Sequence, residues 1–225
     1  MSETDESLFR EVDEEVRQDE YKKLWDRHGR KFTALAILII TAVAAYQGWK
    51  AYELKQAESA GTIYFDAVRK GMEGKTDDAL AALTAVHHTG FGQLAKLREA
   101  MLLGTKGELD KSVAAYDAFA ADPSNDPALV DVARIRAGYA LVDTAKPDEL
   151  LARLGRYDTE TSIWRNEARE IFGLTAWRTK DYTMADRYVK AIAADKDATQ
   201  TMRQRAEMMQ QLIAPNLAAK EASHD

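Results

Sequence analysis

The chain of 225 residues contains no cysteine. No disulfide braces it, and both thiolate catalysis and thiolate ligation of a metal are excluded. The absence suits an oxidising compartment and a reducing cytosol alike. Proline is also scarce, with four residues, and β-branched residues rarely cluster or alternate with polar ones. A sequence so poor in strand signals and helix breakers is expected to be all-α. Nor is there an excess of positive charge: 31 Lys and Arg stand against 37 Asp and Glu, a net charge of −6. The deficit divides evenly, with seven basic and ten acidic residues in 1–31 and twenty-four and twenty-seven in 50–225. Neither part has the basic footprint of a nucleic-acid binder.

Catalytic motifs are missing as well. The four histidines are His28, the pair His87-His88 and His224. Adjacent histidines on a helix point about 100° apart and cannot chelate one ion as an i, i+4 pair does, so a solvated loop is expected at 87–88 and no metal or cofactor. Gly90-Phe91-Gly92 lacks the preceding strand, third glycine and Lys-Ser/Thr of a phosphate loop. Paired carboxylates such as Asp77-Asp78 stand at helix starts, where they complement the helix dipole. The chain is therefore not expected to be an enzyme.

What the sequence does have is one long apolar run. Eighteen uncharged residues, Phe32 to Trp49, follow a charged segment of thirty-one. As a helix the run spans about 27 Å, close to the hydrocarbon thickness of a bilayer. Phe32 at one edge and Tyr46, Trp49 and Tyr52 at the other suit membrane interfaces, and Trp25 suits the headgroup region before the span. Lys22, Lys23, Arg27, Arg30 and Lys31 precede the span, whereas Lys50 and Lys55 alone follow it closely. Positive flanks stay in the cytoplasm, so the N-terminus is expected inside and the body outside. Ala42-Val43-Ala44 has the small-x-small form of a signal-peptidase site; against cleavage stand the long acidic segment before it and the apolar run continuing past it.

The body divides at turn signals: Gly71 to Lys75, Thr89 to Gly92, Asp122 to Pro127, Lys146-Pro147 and Lys180-Asp181. Helical faces lie between them, as in Leu129, Val132, Ile135, Tyr139, Val142 and in Met202, Ala206, Met209, Ile213. A small residue recurs with a partner twelve positions later: Ala67 with Ala79, Ala100 with Ser112, Gly138 with Leu150, Gly173 with Ala185. The intervals of 33, 38 and 35 residues lie close to the 34-residue period of helical hairpins packed through small side chains. The copy from Gly173 to Val189, with Tyr182 starting its second helix, is the best formed. The third is degenerate, with Leu150 in a small-residue position and Pro147 in its turn. An irregular helical bundle is the competing architecture. Residues Thr199 to Ile213 read as the capping helix of the array, Pro215 as its stop, and the last ten residues as a frayed tail. Since 50–69 lacks proline and holds a single glycine, the membrane helix is expected to run unbroken into the first repeat helix.

In the N-terminal segment, Leu8, Phe9, Val12, Val16, Tyr21, Leu24 and Trp25 form a partial helical stripe, either a weak amphipathic helix or a partner-docking one. The segment FREVDEEVRQDEYKKLWDRHGRK, a single uncharged span and a tetratricopeptide-like body together resemble the ancillary SecYEG translocon subunit family, YfgM-like, of Gram-negative bacteria. That resemblance covers nearly the whole chain. It implies a single-pass inner-membrane protein with a cytoplasmic tail (1–31), a transmembrane helix (32–49), a periplasmic repeat domain (50–214) and a flexible C-terminal tail (215–225). It also implies a SecYEG-type translocon and periplasmic chaperones as partners. The function expected is a membrane-tethered interaction module near the translocon; the alternative is a structural scaffold for a cell-division or wall-synthesis complex.

Overall fold

A computed structural model of the chain describes the backbone of residues 3–222 and the side chains of 22 and 25–219. Among the described residues there are nine α-helices and no strand: α1 (Glu3–Met72), α2 (Thr76–Leu83), α3 (Thr89–Thr105), α4 (Leu109–Ala121), α5 (Pro127–Leu141), α6 (Pro147–Leu154), α7 (Arg165–Arg178), α8 (Tyr182–Ala194) and α9 (Gln200–Ala222). The chain divides into two compact units, Met1–Glu58 and Ser59–Asp225.

The first unit is helical. One window of the stretch Trp25–Met72 is long and apolar enough to cross a membrane, and none of it is buried within the protein. Two threonine hydroxyls are satisfied inside the helix: Thr33 Oγ1 donates to the Gly29 carbonyl at 2.9 Å and Thr41 Oγ1 to that of Ile37 at 2.8 Å. Such back-bonding makes a threonine compatible with an apolar surrounding. The expected stripe from Leu8 to Leu24 lies outside the residues whose side chains are described.

The second unit is an array of helical hairpins. The end of α1 pairs with α2, α3 with α4, α5 with α6 and α7 with α8, and each hairpin packs on the next, with α9 against α8 and α7. The first helices of successive hairpins also touch, α3 with α5, α5 with α7 and α7 with α9. This is the neighbour-only packing of a solenoid.

Three of the four hairpin turns are the same structure. At each, a residue with positive φ (Gly74 at 77°, Gly107 at 86°, Lys180 at 63°) ends the first helix. The following amide reaches back five residues, from Lys75 to the Lys70 carbonyl (3.0 Å), Glu108 to Leu103 (2.9 Å) and Asp181 to Ala176 (2.8 Å). This left-handed stop satisfies carbonyls that the helix end would otherwise leave unpaired. The turn between α5 and α6 is different. It has no positive-φ residue, and Pro147 starts α6 after an extended Lys146.

Several boundaries differ from those expected. Thr89 to Gly92 forms the first turn of α3 and not a break, because the His88 Nδ1 accepts from the amides of Gly90 (3.2 Å) and Phe91 (3.5 Å) and so caps the helix. His87 and His88 lie in the loop between α2 and α3, as expected, and His88 in addition caps the helix that follows. A break that the turn signals did not mark falls between Leu154 and Arg165, through a 3₁₀ turn at Gly155–Tyr157. Pro215 does not stop α9, which continues to Ala222 where a flexible tail was expected. Leu217 packs against the same core as Ile213, and that contact favours a further helical turn over the bond lost at proline.

Candidate functional site: a groove along the first helices

The small residues of the repeats lie where hairpin helices meet, with one exception. Ala67 and Ala79 share one fully buried cluster with Leu83 and Leu102. Ser112 Oγ donates to the Ala100 carbonyl at 2.6 Å, joining α4 to α3 across the turn. At Gly173 a Cβ would meet Val189 Cγ1 at 3.5 Å and the Ala185 carbonyl at 3.9 Å, so α7 and α8 approach closely there. Tyr182 stacks edge-on against Trp177, ring centroids 5.2 Å apart. Gly138 is the exception. Leu150 belongs to the same core, but the atoms pressed against Gly138 are those of Leu154 and of Ile171 in α7. The glycine makes room for a leucine one helical turn beyond the position expected, because α6 is short and enters through Pro147.

The aromatic residues Trp25, Phe32, Tyr46, Trp49 and Tyr52 are all exposed on α1. The Trp25 ring lies against the bare Cα of Gly29, and the Tyr52 hydroxyl accepts from Gln56 Nε2 at 2.8 Å.

Stacking the first helices side by side opens a groove of about 1200 Å³ along α3, α5, α7 and α9. Its lining is largely apolar, including Met101, Val132, Ile135, Leu174, Met208 and Leu212. A second hollow of about 200 Å³ extends it toward α1 through Tyr64, Leu94, Leu97 and Leu129 and shares Met101, Tyr116, Val132 and Arg136 with it. One helical face of α5 therefore does two jobs. Ile135 is buried in the core and reaches the groove as well, while Leu129, Val132 and Tyr139 are less buried and line the groove and its extension.

A polar bridge crosses the groove. Glu170 of α7 accepts from Tyr139 of α5 at 2.5 Å and from both Nε (2.6 Å) and Nη2 (2.9 Å) of Arg205 in α9. Three successive first helices are thereby tied through one carboxylate, a geometry in which arginine binds both oxygens at once. Burial, and then the bond to Glu170, pushes the Tyr139 hydroxyl far above the ordinary tyrosine range. No group of three His, Cys, Asp or Glu side chains converges as a metal site among the described residues. Among the described residues that line the groove, no nucleophile is paired with a base. Sequence reading missed Tyr116, Arg136, Glu170 and Arg205, since charged residues on a helix look alike until the neighbouring helices define which face is concave.

A solenoid of hairpins with an apolar groove along its first helices is the architecture of a repeat protein built for binding. The chain belongs to the tetratricopeptide repeat-like domain family, whose model matches residues 22–219. It is also 30% identical over 135 residues to an ancillary SecYEG translocon subunit of Escherichia coli (strain K12), a match covering 59% of this chain and 65% of that protein. The matched stretch thus spans less than two thirds of that relative. No solved structure matches the chain.

Proposed function

We propose that the protein is a membrane-tethered interaction module of the Sec translocon, with residues 1–31 in the cytoplasm, 32–49 spanning the inner membrane and the repeats in the periplasm. The observation that carries this reading is the apolar groove along the first helices, in a chain whose N-terminal helix is apolar enough to span a bilayer. The similarity to a translocon subunit supplies the setting, and the five-to-two excess of basic residues before the span favours the orientation. The groove takes helical or extended segments of newly exported chains or of periplasmic chaperones. Weak affinity suffices, since tethering beside the channel raises the effective concentration of the groove at its exit. In this reading the small residues from Ala67 to Ala185 set the hairpin packing that curves the groove, and Trp25, Phe32, Tyr46, Trp49 and Tyr52 position the span.

Affinity purification of the full chain from mild detergent tests this. Recovery of channel subunits, lost when residues 1–50 are removed, is the expected result. Recovery of wall-synthesis or cell-division proteins in their place supports a scaffold in another envelope complex.

A further inference from the structure

Most arginines of the repeats are spoken for. Arg134, Arg153, Arg165, Arg169 and Arg205 each face a carboxylate within 4 Å, and Arg178 donates to the backbone carbonyls of Val142 and Ala145. Arg98 and Arg136 are different. Both line the hollow where it joins the main groove, and neither makes an ion pair among the described residues. Arg98 spends one Nη on the sulfur of Met101 at 3.7 Å, and its Nε is buried with no partner. Tyr116 lines the same hollow. It is 3% exposed, and its hydroxyl has no hydrogen bond among the described residues. Both guanidinium groups are near enough to offset part of the upward push that burial gives this hydroxyl.

The buried Arg98 Nε has no acceptor, and a buried donor left unpaired costs free energy; the Arg136 guanidinium and the Tyr116 hydroxyl, lining the same hollow, are further donors with no protein acceptor among the described residues. Water reaches the exposed Arg136 but serves the buried Nε poorly. The ligand chemistry that answers this set is a carboxylate, which takes charge-assisted bonds from a planar fork. Apolar surface continues on both sides, through Leu94 and Leu97 one way and Ile135 and Leu174 the other. An acceptor lodged there therefore sits within a segment, not at its end.

We propose that Arg98, Tyr116 and Arg136 form an acid-reading subsite, which selects apolar peptide segments carrying an internal Asp or Glu side chain. This rests on the groove being the binding surface, and it names the chemistry of what the groove selects.

The test uses the full chain in detergent and three labelled helical peptides rich in leucine: one with a central glutamate, one with glutamine in that position, and one with glutamine and a free C-terminal carboxylate, the other two being amidated. Fluorescence anisotropy should show the glutamate peptide binding about tenfold or more tighter than both glutamine peptides, an advantage that shrinks with added salt. Arg136→Gln, on an exposed side chain, should bring the ratio of glutamate-peptide to glutamine-peptide affinity close to one; Tyr116→Phe should reduce that ratio about severalfold. Arg98→Gln serves as a third variant, and unchanged thermal unfolding certifies each fold. Equal binding of all three peptides overturns the subsite and leaves the groove standing. Preference for the free C-terminus overturns the internal placement. Failure of every peptide to bind overturns the groove reading and the subsite with it.

Discussion

Arg165, the first residue of α7, holds Asp195, the residue that ends α8, through both carboxylate oxygens: Nε to Oδ2 at 2.5 Å and Nη2 to Oδ1 at 2.7 Å. The side chains are 13% and 8% exposed, so the pair is shielded from water. Arg169 reaches the same carboxylate at 3.4 Å while bonding Asp158 at 2.7 Å, and the Asp197 amide donates to it at 2.9 Å. The far ends of the fourth hairpin are thus fastened by charge, where its near end is fastened by the turn.

Acid should loosen this fastening. The Arg165 guanidinium holds the Asp195 carboxyl well below the usual carboxylate range. A group depressed on folding contributes stability that is complete above its unfolded value, about 3.9, and is lost as pH falls through its folded value. Denaturant melts of the full chain in detergent should therefore show stability declining below about pH 4. Asp195→Asn should be less stable at neutral pH and show a shallower acid decline. An unchanged acid limb removes Asp195 from the account. Lys190→Ala, at an exposed pair, should change little.

The two repeat glycines should respond oppositely to alanine. At Gly138 the new Cβ collides with Leu154, so Gly138→Ala should cost about 1–3 kcal/mol. At Gly173 the new contacts of 3.5 Å are ordinary, so Gly173→Ala should be neutral or stabilise by up to about 1 kcal/mol, while Gly173→Leu overpacks the hairpin. Thermal unfolding that ranks the two alanine variants the other way refutes the packing described.

Lys180 occupies a position that glycine fills in the two equivalent turns. A left-handed lysine costs about 1 kcal/mol relative to glycine, so Lys180→Gly should stabilise by roughly that amount. Gly107→Ala should destabilise by a similar margin, with differential scanning calorimetry as the measure. Loss of stability in Lys180→Gly means that the lysine side chain supplies a compensating contact.

Orientation in the membrane is testable by thiol labelling, since the chain has no cysteine of its own. A cysteine replacing the exposed Ser124 should react with an impermeant reagent in intact spheroplasts, and one replacing Ser7 only after lysis. The reverse pattern places the groove in the cytoplasm and ends the periplasmic reading.

Local rules settled the helical class, the long apolar N-terminal helix and two of the hairpin turns, because scarcity of proline, the uncharged run and the turn signals at Gly71 to Lys75 and Lys180-Asp181 act through the backbone nearby. They also placed Ser112 against Ala100 and Gly173 against α8, since short turns leave little freedom in hairpin register. Other features depended on partners distant in sequence. Pro215 lies inside a helix because Leu217 finds the core of α8 and α9, and Gly138 serves Leu154 because of how α6 enters between α5 and α7. The groove belongs to this second kind. Tyr116, Arg98 and Arg136, or Tyr139, Glu170 and Arg205, become neighbours only when successive hairpins stack with a fixed rotation. Helical periodicity marks which residues leave the solvent on one helix; the concave face belongs to several helices at once, and only their packing defines it.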